Sequence, residues 1–341
     1  MPSTAPEVQV VGGGLAGSAA ALRALKHGAS VTIIEKSRLP RHKVCGEFLS
    51  PEIGEILTRL DCMDGFLALG PATIRRMTLH FGPREKRSVL MEPAFGLSRY
   101  AFDRFLFDTA AARSARTIRE TWTGQADPNA NVVLATGRKA VAPPGSERLF
   151  GFKAHFTGPV DDAVELFFFE GCYAGVSQVE QGITNIAGLA PERMLRACGF
   201  DPEELVKRSA PLSERLRPMT RTMDWLTVGP LVFSRSFRGW DATGIYPAGD
   251  ALGFTDPFTG SGMLSALLTG FMAGEAAALG VPVPSYLRDC RRALARPFQI
   301  SAIFRALLEN GLAPWLAAPV PARWLMKWTR PRLNLFGPCS V

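Results

Sequence analysis

The sequence predicts an α/β protein in which a parallel, nucleotide-binding sheet is interleaved with an antiparallel sheet and followed by a helical C-terminal segment. Two observations support this prediction. A β-branched run at residues 8–11 leads into consecutive glycines and an alanine-rich helix, which is typical of a buried parallel strand in a βαβ unit. Between residues 150 and 189, short strand-like runs are separated by glycine and aspartate, which favours a separate antiparallel sheet.

The glycines of the βαβ unit fit the pattern G-x-G-x-x-G at Gly12, Gly14 and Gly17. The first glycine permits a tight turn, the second lets a pyrophosphate approach bare backbone, and the third lets the helix pack closely on the strand. A second predicted strand ends at Glu35, whose carboxylate is placed to bind a ribose. The spacing therefore predicts a dinucleotide with its phosphates at the N-terminus of the helix, which we expect over residues 18–27.

The next elements alternate between the two predicted sheets. Ser50 as an N-cap with Pro51 in the first position predicts the start of a short helix. Residues 73–98 predict antiparallel strands, residues 99–113 an amphipathic helix, and residues 131–136 a buried parallel strand.

The chain is then predicted to visit the second sheet and return to the first. Residues 192–209 predict one or two helices, and residues 244–248 predict a final parallel strand. In the helix that follows, Gly262, Gly270 and Gly274 would weaken an isolated helix, so they imply a close packing partner. From residue 282 onward we expect helix interrupted at Pro297, Pro314, Pro319 and Pro321.

These elements predict three units. They are a discontinuous nucleotide-binding domain (1–72, 99–149 and 230–281), a substrate domain (73–98 and 150–229), and a helical, basic C-terminal segment (282–341).

The formal net charge of +8 is concentrated near the C-terminus. Between residues 288 and 332, nine arginines and lysines stand against two acidic residues. Such a segment is usually a solvated surface, and its binding alternatives are an anionic membrane surface or an acidic carrier protein. No nucleic-acid-binding motif accompanies it, so nucleic acid is not expected as a partner. No apolar run reaches the roughly 20 residues that span a bilayer.

The cysteines, the histidines and the N-terminal residues lead to further expectations. The six cysteines form no C-x-x-C pair and are expected to be reduced thiols, and the four histidines lack ligand spacing, so no metal site is predicted. The N-terminus has neither a basic region nor an apolar stretch, which predicts no signal peptide. We therefore expect a cytoplasmic protein, with attachment to a membrane surface as the alternative.

Four segments together resemble one superfamily: the glycine loop with Glu35, residues 41–47 (RHKVCGE), residues 99–103 (RYAFD) and residues 249–262. They occur in the same order in the FAD-dependent oxidoreductases that include geranylgeranyl reductases, flavin-dependent halogenases and single-component aromatic hydroxylases. The resemblance covers residues 5–280. It implies a Rossmann-like FAD-binding domain, FAD as the cofactor, and chemistry carried by the flavin.

The resemblance also implies how FAD would be held. Asp250 would bind the ribityl chain, and Gly260 to Met263 would place backbone amides beside the flavin pyrimidine, where a reduced flavin carries negative charge. Pro257 and Phe258 would wall the ring. The predicted cofactor-binding residues are Gly12, Gly14, Leu15, Ala16, Gly17, Glu35, Lys36, Arg41, Cys45, Gly46, Arg99, Gly249, Asp250, Gly260, Gly262 and Met263.

A double-bond reduction needs a proton donor, and three residues qualify by type and position. Cys45 matches a cysteine position of the geranylgeranyl reductases, in a basic loop where Arg41 and Lys43 would favour the thiolate. Its alternative role is that of a small residue packed against the flavin. Glu47 and Tyr173 are the other candidates, and no spacing rule selects among the three.

Departures from the superfamily pattern bear on the reaction. The Asp-Gly pair usual in the hydroxylases is replaced by Ala135-Thr136-Gly137, and the two-tryptophan pattern of the halogenases is absent. We therefore expect reduction or dehydrogenation of an apolar, prenyl or polyketide-like small molecule, with NAD(P)H or another reductant as electron donor. Monooxygenation of an aromatic or polyketide substrate is the alternative, and a non-catalytic flavin binder is a third reading.

Overall fold

The structure is a computed structural model that describes residues 5–124, 130–138, 148–231, 240, 244–254, 260–309 and 330–331. The strands in these ranges are β1 (Glu7–Val11), β2 (Ser30–Ile34), β3 (Phe48–Leu49), β4 (Ala72–Phe81), β5 (Arg84–Gly96), β6 (Arg116–Ile118), β7 (Ala130–Leu134), β8 (Leu149–Thr157), β9 (Ala163–Phe169), β10 (Cys172–Gln178), β11 (Thr184–Pro191), β12 (Thr220–Arg221), β13 (Leu226–Leu231) and β14 (Ile245–Pro247). The helices are α1 (Leu15–Lys26), α2 (Ile53–Arg59), α3 (Met63–Ala68), α4 (Arg99–Ala112), α5 (Glu192–Ala197), α6 (Pro202–Lys207), α7 (Ala210–Leu216), α8 (Gly262–Leu279) and α9 (Val283–Glu309).

The first sheet is parallel, with strand order β14-β7-β1-β2-β6. Its central strand β1 is apolar at Val8, Val10 and Val11, which are buried because neighbouring strands and helices enclose it on both sides. The strands point their carboxyl ends to one edge, where the glycine loop follows β1. Ligands of such sheets bind at this edge.

Helix α8 packs directly on α1, the helix that follows the glycine loop. A Cβ atom at Gly270 would lie 2.1 Å from the carbonyl oxygen of Ala16, and one at Gly274 would lie 2.1 Å from that of Ala20. Glycine is therefore required for the two backbones to approach so closely. Among the described helices, α8 is long and apolar enough to cross a membrane. However, 72% of its 18 residues are buried inside the protein, which is the pattern of a core helix.

The second sheet has the strand order β12-β8-β11-β10-β9-β4-β5-β3, with β13 also paired to β8. Its pairs are antiparallel except for β4 with β9, which run parallel because the chain crosses to the first sheet between them. The predicted fold class is confirmed, with this one parallel pair added to the antiparallel sheet.

Alternation along β8 to β11 gives the second sheet two distinct faces. On the outer face, Phe152, Phe167 and Ile186 pack against Leu195 of α5, and α6 and α7 complete this layer. The inner face points the opposite way, towards the loop that contains residues 42–48. Its side chains include Lys153, His155, Phe168, Tyr173, Asn185 and Leu189.

Several element boundaries differ from expectation. Helix α1 begins at Leu15 directly after Gly14, and α2 begins at Ile53, with Ser50 and Pro51 in a preceding turn. Three helices lie between residues 192 and 216, where one or two were expected up to residue 209. Helix α9 runs through Pro297, so the predicted interruption there is wrong, and the other three prolines lie outside the described residues. An internal proline removes one helical hydrogen bond, which tertiary packing can offset.

Candidate cofactor and substrate site

The glycine loop makes the tight turn that its spacing predicts. Gly12 has a φ of +108°, and a Cβ atom there would lie 2.3 Å from the carbonyl oxygen of Ala135. A Cβ atom at Gly17 would lie 1.7 Å from the carbonyl oxygen of Gly12. Both positions therefore exclude any side chain, and α1 starts immediately behind the loop. Leu15 and Ala16 are buried in its first turn.

Glu35 lies at the end of β2 and binds the glycine loop. Its Oε2 accepts a hydrogen bond from the Gly13 amide at 2.7 Å, and its Oε1 accepts one from the Ser37 amide at 2.7 Å. Each carboxylate oxygen can accept a further bond, so the predicted ribose contact is compatible with this geometry. Lys36 and Arg41 are exposed, and neither forms an ion pair within the described residues.

A buried charge cluster stands in front of the α1 N-terminus. Asp103 on α4 accepts hydrogen bonds from Lys43 Nζ at 2.6 Å and from Arg99 Nε and Nη2 at 2.7 and 2.9 Å. A Cβ atom at Gly14 would lie 3.3 Å from Lys43 Nζ and 3.9 Å from Arg99 Nη2. Two cations, one carboxylate and a helix N-terminus without a side-chain cap thus surround the bare backbone of Gly14. This donor set suits a diphosphate.

Titration in this cluster follows from burial and the shared carboxylate. Burial would raise the pKa of Asp103, but the charges of Arg99 and Lys43 outweigh it and hold that pKa below its usual value. Burial, together with the neighbouring charge of Arg99, lowers the pKa of Lys43. Burial would also lower the pKa of Arg99, but Asp103 more than reverses this. Arg99 and Asp103 are therefore held as a charged pair beside Gly14.

Gly249 and Asp250 follow β14 and lie against the same helix. The Gly249 amide donates to Thr269 Oγ1 at 2.8 Å, and a Cβ atom at Gly249, whose φ is +61°, would lie 2.9 Å from the Cβ of Ala16. The Asp250 carboxylate accepts no hydrogen bond from the described residues. Burial raises its pKa, although Arg138, Arg99 and Lys43 act in the opposite direction. A hydroxyl-bearing ligand would supply the missing donors.

The loop before α8 forms the far end of the cradle. Gly260 has a φ of +59°, and a Cβ atom there would lie 3.3 Å from the ring of Phe48. Helix α8 begins at Gly262 without a side-chain cap, and Met263 is buried behind it. Arg330, near the C-terminus, is buried, and its guanidinium lies over the same Phe48 ring, 6.0 Å from the ring centroid. Pro257 and Phe258 lie outside the described residues.

Cys45, Gly46 and Glu47 bridge this cradle to the inner face of the second sheet. Asn185 Nδ2 on β11 donates to the carbonyl oxygens of Cys45 and Gly46 at 3.1 and 2.9 Å. Cys45 is partly exposed and has no disulfide partner. A Cβ atom at Gly46 would meet nothing within 4 Å. The peptide that carries the thiol is therefore fixed from the sheet side by Asn185.

The Glu47 side chain is fully buried in an ion pair with Lys153, which is also fully buried. His155 Nε2 donates to Glu47 Oε2 at 2.8 Å, and the Arg99 amide donates to Oε1 at 2.7 Å. Burial alone would raise the pKa of Glu47, but the hydrogen bond from His155 and the charge of Lys153 outweigh it and lower that pKa. Glu47 is thus held ionised, and this geometry does not favour it as a proton donor.

Sequence reasoning missed Lys153, His155, Asn185 and Asp103 as parts of the site. In the sequence, the strands that contain Lys153, His155 and Asn185 look like ordinary sheet. Lys153 and His155 are two residues apart on β8, and Asn185 on β11 is the cross-strand neighbour of His155. The residue types themselves were the available signal, because a lysine and a histidine on the same side of an apolar strand need buried partners. The partner could not be read from the sequence.

The inner face changes from polar to apolar along the strands. One cross-strand row contains His155, Asn185 and Ser177, and two residues further along each strand another row contains Lys153, Ala187 and Gly175. The next row is Leu189, Tyr173, Phe168 and Phe81. Phe48 packs in the same cluster as this last row. Tyr173 therefore lies on the apolar side of the cradle, at some distance in register from the Asn185 row.

The described residues contain no group of three histidine, cysteine, aspartate or glutamate side chains arranged to hold a metal ion. The bare backbone at Gly14, and an Asp250 carboxylate that accepts no hydrogen bond from the part of the chain that the structure describes, both suit a flavin dinucleotide.

Comparisons with known proteins agree with this arrangement. Residues 7–40 match the family model described as FAD dependent oxidoreductase. The fold is similar to that of the flavin-dependent brominase Bmp2 (TM-score 0.78, 18% identity, covering 97% of this chain and 95% of that one). It is also similar to that of a geranylgeranyl bacteriochlorophyll reductase-like protein from Thermoplasma acidophilum (TM-score 0.71, 19% identity, covering 96% of this chain and 94% of that one). A third similar structure is a flavoprotein/dehydrogenase from Cytophaga hutchinsonii (TM-score 0.73, 20% identity, covering 92% of this chain and 87% of that one). No curated protein matches by sequence.

These matches confirm the resemblance that the four sequence motifs predict and the choice of FAD as cofactor. Identities near 20% establish the fold and leave the reaction open. The chain thus shares the fold of these flavin-dependent proteins, and its residues 7–40 match the FAD dependent oxidoreductase family model.

Proposed function

We propose that the protein uses FAD to reduce or dehydrogenate a carbon–carbon bond in an apolar small molecule. The observation that carries this proposal is the apolar row on the inner face of the second sheet, beside the cofactor cradle. Phe168, Tyr173 and Leu189 retain exposures of 8%, 7% and 6%, whereas Phe152, Phe167 and Ile186 on the outer face retain 0%, 1% and 0%. The inner row is therefore less completely packed, as expected of side chains that line a substrate space.

The residues of the cradle would hold FAD in an extended position. The α1 N-terminus with Lys43 and Arg99 would bind the diphosphate, and Asp250 would accept hydrogen bonds from the ribityl hydroxyls. Bound FAD supplies hydride transfer, and the protein supplies orientation, exclusion of water and a proton. The ring would end beside Gly260 and Phe48, next to the apolar row.

The proton has two remaining candidate sources. Cys45 lies at the end of the cradle, two residues before Glu47, whose carboxylate accepts a hydrogen bond from the Arg99 amide. Tyr173 lies in the apolar row, where its ring is 6.3 Å from that of Phe168. A cysteine in a basic setting serves when the proton is delivered at the flavin end, and a tyrosine serves when it is delivered from the sheet. Cys45→Ala and Tyr173→Phe separate the two.

Cofactor binding is the first test. The purified protein should be yellow and release FAD on denaturation, because Lys43, Arg99 and the α1 N-terminus would bind the diphosphate. Asp250→Ala should weaken FAD binding about tenfold or more, since it removes hydrogen bonds to a charged acceptor. Arg76→Ala, which removes exposed ion pairs with Asp161 and Asp162, is the matched control and should bind FAD normally. A colourless protein that rejects added FAD contradicts the proposal.

The reaction type requires a second test. Enzyme reduced under anaerobic conditions should be reoxidised by a prenyl-type alkene and yield the saturated product. If reoxidation instead requires oxygen and the product is hydroxylated, the protein is a monooxygenase and the proposed reduction is wrong. Oxygen consumption with peroxide as the only product, together with anaerobic turnover of the alkene, supports the reductase.

A further inference from the structure

Glu47 connects three parts of the site that are distant in sequence. Its Oε1 accepts hydrogen bonds from the first amide of α4, at Arg99, at 2.7 Å and from Lys153 Nζ on β8. Its Oε2 accepts from His155 at 2.8 Å, and its own carbonyl oxygen accepts from the Leu97 amide at 3.2 Å. One carboxylate therefore ties the cofactor-side helix to the substrate-side sheet, and it does so with no exposed surface.

The backbone at Glu47 is in an unfavourable conformation. Its φ is 55°, in the left-handed region that residues with a Cβ atom seldom occupy. Such a conformation persists only where the surrounding contacts over-determine it. Here the contacts are those of the buried carboxylate with Lys153, His155 and the start of α4. Removing them would let this backbone relax.

The same backbone determines the environment of the Cys45 thiol. The Glu47 amide donates to Cys45 Sγ at 3.5 Å, and Asn185 holds the two intervening carbonyl groups. The conformation at residue 47 therefore sets both the position of the sulfur and the direction of the backbone amide that reaches it. The thiol depends on Glu47 through the peptide that connects them, and within the described residues its sulfur forms no hydrogen bond with the Glu47 carboxylate.

We propose that Glu47 is a positioning residue, whose buried carboxylate holds the strained backbone that presents the Cys45 thiol to the cofactor end of the site. The role of that thiol in turnover rests on the proposed function. The effect of Glu47 on the thiol does not, because thiol reactivity can be measured without substrate.

The test is alkylation by iodoacetamide at one fixed pH, with and without saturating FAD, followed by mass spectrometry of the Cys45 peptide. The ratio of the rate without FAD to the rate with FAD reports how far the bound cofactor covers the thiol. The double variant Glu47→Ala/Lys153→Met removes the carboxylate without leaving a buried lysine unpaired. The ratio at Cys45 should fall towards one, because the thiol is no longer held at the cofactor end.

The matched control lies on the outer face of the same sheet. Glu165 on β9 is also a largely buried carboxylate, bound by Arg215 Nε at 2.5 Å and by His80. The control variant Glu165→Ala/Arg215→Met should lose stability but leave the Cys45 ratio within twofold of the wild type. An unchanged ratio in the Glu47 variant, or an equal fall in the Glu165 variant, overturns the proposal.

Two further measurements keep the test decisive if the Glu47 variant does not fold. Asn185→Ala leaves no unpaired charge and releases the Cys45 and Gly46 carbonyls, so it should lower the ratio in the same direction. In the wild type, the ratio at Cys45 should be higher in the native protein than in protein unfolded by guanidinium. Equal ratios in the two states overturn the proposal, whether or not the protein proves to be a reductase.

Discussion

The two faces of the second sheet come from the same strands and differ in what they pack against. The outer face meets α5, α6 and α7, which are formed by adjacent chain, and Phe152, Phe167 and Ile186 on it are almost completely enclosed. The inner face meets the loop that contains residues 42–48, and it combines a buried ion pair, an amide and an apolar row. The outer face is therefore packed as ordinary core, while the inner face places charged and polar side chains beside apolar ones.

The largest difference between the faces should appear when a phenylalanine is removed. Phe152→Ala on the outer face should lower the free energy of unfolding by about 3–5 kcal/mol, because it leaves a cavity in close-packed surroundings. Phe168→Ala on the inner face should cost about 2 kcal/mol, since its ring is less enclosed. Urea unfolding monitored by circular dichroism measures both. Equal losses would mean that the inner row is ordinary core.

Two glycines provide a second contrast. A Cβ atom at Gly188 on the outer face would lie 2.3 Å from the Phe152 ring and 2.4 Å from the carbonyl oxygen of Tyr173, so Gly188→Ala should cost about 3 kcal/mol or more. At Gly175 on the inner face the nearest atom is 3.3 Å away, in the flexible Leu166 side chain. Gly175→Ala should cost less than about 1 kcal/mol. Thermal unfolding of the two variants would contradict this if Gly175→Ala proved the less stable protein.

The two buried glutamates should differ in the acid range. Burial would raise the pKa of both Glu47 and Glu165, but their hydrogen-bonded partners outweigh it and lower both values. A lowered pKa contributes stability that is present above the unfolded value of about 4.3 and is lost as the pH falls through the folded value. Replacement by glutamine should therefore flatten the decline of unfolding free energy between about pH 5 and pH 3. Urea titrations at several pH values would show this.

We expect the flattening to be greater for Glu47→Gln than for Glu165→Gln, because Glu47 has no exposed surface and binds two side-chain donors and an amide. An identical pH dependence in the two variants would remove the distinction between the faces in electrostatic terms.

The smallest effect on stability should come from Tyr173→Phe. The ring remains in the apolar row and only the hydroxyl is lost, so the free energy of unfolding should change by no more than about 1 kcal/mol. If Tyr173 donates the proton, kcat should nevertheless fall while KM changes little. Steady-state kinetics beside the Cys45→Ala variant decides this, and normal turnover in Tyr173→Phe excludes tyrosine as the donor.

The glycine loop and its helix could be predicted from local sequence. Gly12, Gly14 and Gly17 have local steric reasons to be glycine, and a strand followed by such a loop and helix folds in one way. The order of the motifs up to Asp250 then narrowed the predicted ligand from any dinucleotide to FAD. The predicted division into domains and the predicted site residues remain predictions, with the geometry compatible with most of them.

The pairing of charges in the site depends on long-range contacts that the sequence does not specify. Asp103 binds Lys43 across 60 positions of chain, and Glu47 binds Lys153 across 106. A buried charge needs a partner, but which residue that partner is depends on which strands and helices meet in space. For that reason the sequence indicated Glu47 as a candidate proton donor, whereas the structure pairs its carboxylate with Lys153 on β8 and with the first amide of α4.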